Sequence, residues 1–299
     1  MNKNFIILYF FLTLCFSAPY FDSEKSFQYL LKQCDIGYRY PGSNGQIEFK
    51  EYLVDFLSNQ SDSVIVDSHR ISHPYIEDKE IDLYNIFASY NLTASRRILF
   101  MAHWDTREIA DKDPNKENYN TPIMGANDGA SGVAVLMSLA EILYSNPLNN
   151  IGVDLLFVDG EDMGRHGDLE HFSVGTKLFC RANKNYSPEF AVCLDMVADK
   201  DPKFKIEYFS YMQAEEKVRE IWALANNLGY SEFSYDLQPP IYDDHRAFYI
   251  ETGIPSLDII DFDYPYWHTL EDTPDKCSAH TLGIVGNVVV EYIYNEDSK

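Results

Sequence analysis

The sequence predicts one α/β domain over residues 18–299, with a central, mostly parallel mixed sheet covered by helices on both faces. The predicted strands are continuous apolar runs, not alternating ones, as expected when both faces of a sheet are buried. Stretches of helical length and periodicity separate these strands along the chain. No linker rich in Pro, Gly or Ser divides the chain, and 299 residues are enough for one large domain.

The predicted elements follow one another in a regular order. Helices at about 23–34 and 45–58 and strands at about 63–71 and 81–90 are expected to extend one edge of the sheet. The central alternation then comprises the strand Ile98–Ala102, the helix 131–143, the strand Ile151–Val158, the helix Ser173–Ala182, the strand Phe190–Val197, the helix Ala214–Leu228, the short strand Ser256–Ile260 and the closing helix His280–Asn295. Apolar runs of five to eight residues suit strands, and the longer periodic stretches suit helices.

Residues 1–17 have the pattern of a signal peptide. A basic start precedes the apolar run FIILYFFLTLCF, and the small residue Ser17 offers a cleavage point before Ala18. The run is short for a membrane span, which needs about 20 residues. Attachment of a lipid at Cys15 is disfavoured, because Leu14 is bulky for the position before a lipidated cysteine. The sequence therefore predicts a secreted or periplasmic protein without a membrane span.

The charge of the chain excludes some classes of binding partner, and its cysteines leave the disulfides open. The chain has 24 Lys+Arg against 47 Asp+Glu, a formal net charge of −23. Nucleic acid and anionic membrane surfaces are therefore poor partners. Export would permit disulfides, but the spacing of the remaining cysteines matches no known framework. Pairing of these thiols and isolated buried thiols both stay open; they are Cys34, Cys180, Cys193 and Cys277.

Candidate metal ligands stand at the ends of the apolar runs. They are His103, Asp128, the pair Glu161-Asp162, Asp195 and His268. Burying acidic groups together costs several kcal/mol per charge, and a divalent cation is the usual reason to gather them. Two imidazoles with carboxylates favour Zn²⁺ over Mg²⁺ or Ca²⁺. Ligands of parallel sheets bind at the carboxyl ends of strands, and five of the candidate site residues fall at or just beyond predicted strand ends: His103, Asp105, Glu161, Asp162 and Asp195.

A family resemblance rests on seven segments in a fixed order: AHWDTR, GANDGASGVAVL, FVDGED, LDMV, DDH, IPSLDII and YWHTLEDT. They resemble zinc exopeptidase-like proteins of the M28 type, and within that superfamily the glutaminyl-peptide cyclotransferases, or glutaminyl cyclases. The resemblance covers roughly residues 25–295. It implies a zinc exopeptidase-like fold and the conversion of amino-terminal Gln of peptides or proteins to pyroglutamate, with release of ammonia.

The resemblance also implies the metal ligands. One Zn²⁺ would be held by Asp128, Asp162 and His268, with an open fourth position. Many relatives have Glu where this chain has Asp162, a shorter ligand that still supplies its oxygens. In two-metal M28 aminopeptidases the histidine equivalent to His103 binds a second zinc, with Asp128 bridging. One ion or two therefore remains open, and Asp105 would orient His103.

The implied catalytic residues are Glu161, Asp195 and Asp243. Glu161 resembles the family's general base and acid, a role that a raised pKa would favour. Asp195 and Asp243 would share protons with Glu161 and hold the substrate amine. Trp267 and Trp104 are candidate walls of the substrate pocket, with core packing as the alternative.

Two rival functions remain open at this point. A two-zinc aminopeptidase would use Glu161 to activate a water bridging the metals. A non-catalytic ectodomain would be expected to lack a ligand or the base, and this sequence keeps all of them.

Overall fold

The computed structural model describes residues 18–299, so the predicted signal peptide lies outside the described residues. The central sheet has six strands in the order β1-β2-β4-β3-β5-β8. They are β1 Ser63–Ser72, β2 Glu80–Tyr90, β3 Arg97–His103, β4 Gly152–Val158, β5 Phe190–Asp195 and β8 Ser256–Ile260. Strands β4, β3, β5 and β8 run parallel, whereas β1 and β2 pair antiparallel at one edge. The predicted mixed, mostly parallel sheet is confirmed.

Seven helices cover this sheet in the described part of the chain. They are α1 Ser23–Ile36, α2 Asn44–Ser58, α3 Ala130–Ser145, α4 Val174–Ala182, α5 Tyr208–Asn227, α6 Asp244–Thr252 and α7 Ala279–Asp297. Within residues 18–299 no helix combines the length and apolar character needed to cross a membrane.

Side-chain alternation along β3 explains its unbroken apolar run. Phe100 packs into the large core beneath α1, α3 and α7, while Leu99 and Met101 face the smaller core that Phe179 of α4 and Phe248 of α6 complete. Successive residues of a strand point to opposite faces, so a strand buried on both faces needs apolar residues at every position.

The structure adds elements that the sequence did not predict. Two short parallel strands, β6 Phe204–Glu207 and β7 Phe233–Gln238, form a second small sheet, and α6 was also missed. Each of these segments is short and lacks a clear apolar period. The predicted helix Ala214–Leu228 matches the second part of α5, because the backbone breaks at Ala214, with φ −144° and ψ 36°; the first part of α5, from Tyr208, was not predicted.

The four cysteines among the described residues form no disulfide bond. Cys34, Cys180, Cys193 and Cys277 are buried and unpaired. Burial raises the pKa of each thiol, so they behave as small apolar side chains.

Candidate metal and catalytic centre

The candidate site residues converge at the carboxyl ends of the parallel strands. His103 ends β3 and Asp195 ends β5, while Glu161 and Asp162 follow β4 after a turn at Gly160. Asp128 precedes α3, and His268 lies in the loop after β8. This edge is where ligands bind in open α/β sheets.

Two overlapping groups of ligand atoms form here. Asp128, Asp162 and His268 make one group, and His103, Asp128 and Asp195 make the other; in each, the ligand atoms lie within 4.8 Å of one another. His268 Nε2 is 3.3 Å from Asp162 Oδ1 and 3.6 Å from Asp128 Oδ2. His103 Nε2 is 3.1 Å from Asp128 Oδ1 and 3.3 Å from Asp195 Oδ1. Asp128 thus presents one oxygen to each group.

The donor set fits a zinc ion. Asp128 Oδ2 and Asp162 Oδ2 are buried and have no hydrogen-bond partner among the described residues. An unsatisfied buried acceptor is costly, more so when it is charged, and a divalent cation would satisfy both oxygens. Imidazole with carboxylates is a common zinc shell. Because both groups offer such donors, the geometry accommodates one ion or two.

Arg107, which the sequence analysis did not single out, binds and positions the Asp128–Asp162–His268 group. Arg107 Nη1 lies 2.6 Å from Asp162 Oδ1, and Arg107 Nε and Nη2 donate to the two oxygens of Asp111 at 2.8 and 2.9 Å. Asp111 Oδ1 in turn lies 3.3 Å from His268 Nδ1, which directs Nε2 toward the other ligands. Burial opposes ionisation of Asp162, but Arg107 and His268 outweigh it and lower its pKa.

A second missed residue, Asp272, holds the Asp128 backbone. Its carboxylate accepts the Asn127 and Asp128 amides at 2.9 and 3.2 Å, and the Tyr264 hydroxyl at 2.8 Å. Burial raises the pKa of Asp272 to about 7. Arg107 and Asp272 both lie inside the segments that carry the family resemblance, AHWDTR and YWHTLEDT, so that signal was available. Asp111 lies in none of the seven.

Asp105 contacts both His103 and the Glu161-Asp162 turn. Its oxygens accept the backbone amides of Glu161 and Asp162, each at 3.1 Å, and Oδ1 lies 3.4 Å from His103 Nδ1. The side chain therefore lies behind His103 and fixes the turn that carries Glu161; an orienting role toward His103 stays a prediction.

Glu161 occupies an environment suited to proton transfer. The residue is 8% exposed, and its Oε1 accepts a hydrogen bond from Ser173 Oγ at 3.3 Å. Burial raises the pKa of Glu161 well above its ordinary value, and nearby Asp243 adds to the rise. Burial likewise raises the pKa of Asp195 to about 7. Carboxylates tuned in this way can take and return protons near neutral pH.

The comparisons with known proteins now identify the family. Residues 85–293 match peptidase family M28. The chain belongs to this family. A curated relative, glutaminyl-peptide cyclotransferase of Bos taurus, is 23% identical over 294 residues, which cover 86% of this chain and 79% of the relative.

Two solved structures resemble this M28 protein closely. The glutaminyl cyclase of Bacteroides thetaiotaomicron superposes with a TM-score of 0.87 at 31% identity, covering 93% of this chain and 99% of that one. A leucine aminopeptidase precursor from the same organism gives a TM-score of 0.87 at 32% identity, with the same coverage.

The two tryptophans of this M28 protein have different surroundings. Trp267 is half-buried and stacks on His268, with ring centroids 3.9 Å apart. Trp104 has no exposed surface, packs against Phe49 and donates a hydrogen bond to the Tyr84 carbonyl. The expectation that Trp104 lines the substrate pocket is therefore wrong, because its ring belongs to the core. Trp267 remains a candidate pocket wall.

Left-handed backbone conformations gather at the M28 centre. His268, Ser173 and Met196, which follows Asp195, have φ values of +56°, +52° and +47°. Such conformations are unfavourable for residues other than glycine and are kept where the surrounding structure imposes them. They also explain why β5 ends at Asp195, before the predicted Val197: the chain turns out of the sheet at Met196.

Proposed function

We propose that this M28 protein is a zinc-dependent glutaminyl-peptide cyclotransferase, an acyltransferase that works by intramolecular aminolysis. The likeness to a solved glutaminyl cyclase over nearly the whole chain supports the activity. One observation carries the chemistry: Glu161, buried and with a raised pKa, adjoins Asp162 in the Asp128–Asp162–His268 group. The substrates would be peptides or proteins with an amino-terminal Gln.

Asp128, Asp162 and His268 would hold the zinc ion. When bound, zinc supplies Lewis-acid polarisation of a carbonyl oxygen. Arg107 and Asp272 keep the ligands in place by holding the Asp162 side chain and the Asp128 backbone.

The chain's own residues would move the protons. The substrate α-nitrogen attacks its own γ-carbonyl carbon, so one C–N bond forms while the carboxamide C–N bond breaks. Glu161 takes a proton from the α-amine and returns it to the departing nitrogen, which leaves as ammonia. Asp195 and Asp243 would hold the amine near the carbon of the γ-carboxamide. Because the nucleophile and the electrophile belong to the same residue of the substrate, correct orientation supplies much of the rate.

A two-zinc aminopeptidase is the second candidate. It is favoured by the group of His103, Asp128 and Asp195, which could hold a second ion. In that enzyme Glu161 would activate water, and the product would be a free amino acid.

One preparation can separate the two candidates. Zinc-loaded protein is incubated with matched peptides that begin with Gln or Leu, and mass spectrometry and ammonia release are followed together with metal content. Loss of ammonia from an otherwise intact Gln peptide, with about one zinc per chain, supports the cyclase. Faster release of leucine with about two zinc ions per chain would overturn it.

We also infer that the protein is exported, to the periplasm or the outside of the cell, because residues 1–17 have the pattern of a signal peptide. Amino-terminal sequencing of exported material should begin near Ala18. An intact Met1, or lipid on Cys15, would contradict this.

A further inference from the structure

A buried polar group behind the catalytic carboxylates is not used by the proposed reaction. It consists of Glu207, His245 and Asp258, whose side chains have no exposed surface. His245 lies between the two acids: Nε2 is 3.0 Å from Glu207 Oε2, and Nδ1 is 3.5 Å from Asp258 Oδ2. Burying ionisable groups costs several kcal/mol each, so their arrangement calls for an explanation.

Glu207 is a firmly held carboxylate. It ends β6 and caps α5, where it accepts the Phe209 and Ser210 amides at 2.8 and 2.6 Å. Burial opposes its ionisation, but the contact with His245 and the backbone amides outweigh burial and lower the pKa of Glu207. A capping carboxylate at a helix start is also stabilised by the helix dipole. The position of Glu207 is thus set by the helix.

The Glu207 carboxylate also binds the chain on both sides of Asp243. Glu207 Oε1 accepts the Ile241 amide at 2.9 Å, two residues before Asp243, and Oε2 meets His245, two residues after it. Asp243 itself caps the start of α6. Among residues 18–299, no other carboxylate forms hydrogen bonds or ion pairs with the chain on both flanks of Asp243.

Asp258 lies on the other side of His245, in the middle of β8. Its backbone amide donates a hydrogen bond to Ser210 Oγ at 3.0 Å. Ligand atoms of Asp258, Asp243 and Cys193 lie within 4.8 Å of one another. Two buried carboxylates at this separation disfavour double ionisation, so Asp258 and Asp243 are coupled neighbours.

We propose that Glu207 and His245 are positioning residues, which fix the place of the Asp243 carboxylate from both sides and through Asp258. The proposal rests on the proposed function, in which Asp243 holds the substrate amine. A displacement of about 1 Å in such a group can cost on the order of 10²-fold in rate. The effect would reach the substrate through Asp243 and leave the zinc ligands unchanged.

The test compares Glu207→Gln and His245→Gln with a matched control, His73→Gln. His73 is also buried, and its Nε2 lies 3.2 Å from Glu108, but it lies outside the catalytic group. In Glu207→Gln an amide oxygen remains for the backbone contacts. For the full zinc-loaded chain acting on Gln peptides, we expect both test variants to raise KM and to lower kcat/KM about 10- to 100-fold. Zinc content should match that of the control, and Tm should stay above the assay temperature.

KM separates positioning from a general structural role, because loss of folded enzyme lowers kcat and leaves KM unchanged. A wild-type KM in both variants would overturn the proposal, and so would loss of zinc together with activity. If His245→Gln fails to fold, the KM of Glu207→Gln alone tests the proposal. If neither variant folds, the two residues have a purely structural role and the proposal is overturned. If wild-type protein releases amino acids instead of ammonia, the proposed function fails. The same KM comparison is then made on hydrolysis, where unchanged values would still overturn the positioning role.

Discussion

Glu161 is the side chain on which the proposed reaction depends. Glu161→Gln keeps the size of the side chain and can still accept the Ser173 hydrogen bond, but it cannot shuttle a proton. We expect the turnover of Gln peptides to fall by about 10²-fold or more, with zinc content and thermal unfolding unchanged. Steady-state kinetics and metal analysis on the same sample check this. Near-normal turnover with the metal retained would show that another group is the base.

Trp104 and Trp267 offer a matched pair of substitutions at the residue scale. Trp104→Ala leaves a cavity in the core and should lower the free energy of unfolding by about 3–5 kcal/mol. Trp267→Ala removes a half-buried ring that stacks on His268, so we expect a higher KM with a much smaller loss of stability. Denaturant unfolding and kinetics on both variants check this. Equal destabilisation by the two would contradict the assignment.

The packing of α3 against β3 requires glycine at residue 129. A Cβ there would overlap the His103 ring and the His103 carbonyl oxygen, although φ of −116° is open to other residues. Gly129→Ala should therefore lower stability by about 1–3 kcal/mol, because a close-packed site resists added volume. It should also disturb the site at His103. Thermal unfolding and zinc titration measure both effects, and wild-type values in both would rule out the contact.

The loop after β8 contributes a pH-dependent part of stability. Burial raises the pKa of Asp261 from 3.8 to about 7, although backbone amides of Lys203 and Asp263 oppose the rise. The folded state therefore holds this proton more tightly than the unfolded chain. The contribution is fully present below pH 3.8 and is lost as pH rises toward 7.

Asp261→Asn removes that titration. We expect the fall in unfolding free energy between about pH 4 and pH 7 to be shallower in the variant than in the wild type. Denaturant titrations across this range measure the slope. An identical slope in both proteins would mean that Asp261 titrates normally when folded.

At the scale of the whole molecule, zinc should stabilise the fold. The candidate ligands come from segments far apart in the chain, so an ion that binds the folded state would shift the folding equilibrium. Chelation should lower both Tm and activity, and added Zn²⁺ should restore both. Magnesium at the same concentration is the control, because it prefers all-oxygen shells. An unchanged Tm after complete removal of metal would contradict this coupling.

The sequence alone carried the order of the main elements and the residue types of the centre. Continuous apolar runs specify buried parallel strands locally, and the ends of those strands locate His103, Glu161 and Asp195 at one edge of the sheet. Three short elements, β6, β7 and α6, were not predicted. They have no clear apolar periodicity of their own and are stabilised by contacts with segments distant in the sequence.

Contacts between distant segments establish which side chains support the centre. Arg107 meets Asp162 across 55 residues, and Asp272 meets Asp128 across 144. The same applies to Trp104, whose place in the core depends on Phe49 of a distant helix. Hydrogen bonds and ring contacts between distant segments depend on how the layers pack, which local patterns do not encode. The sequence therefore determined the fold class and candidate chemistry, and the packing of the layers determined how that chemistry is held in place.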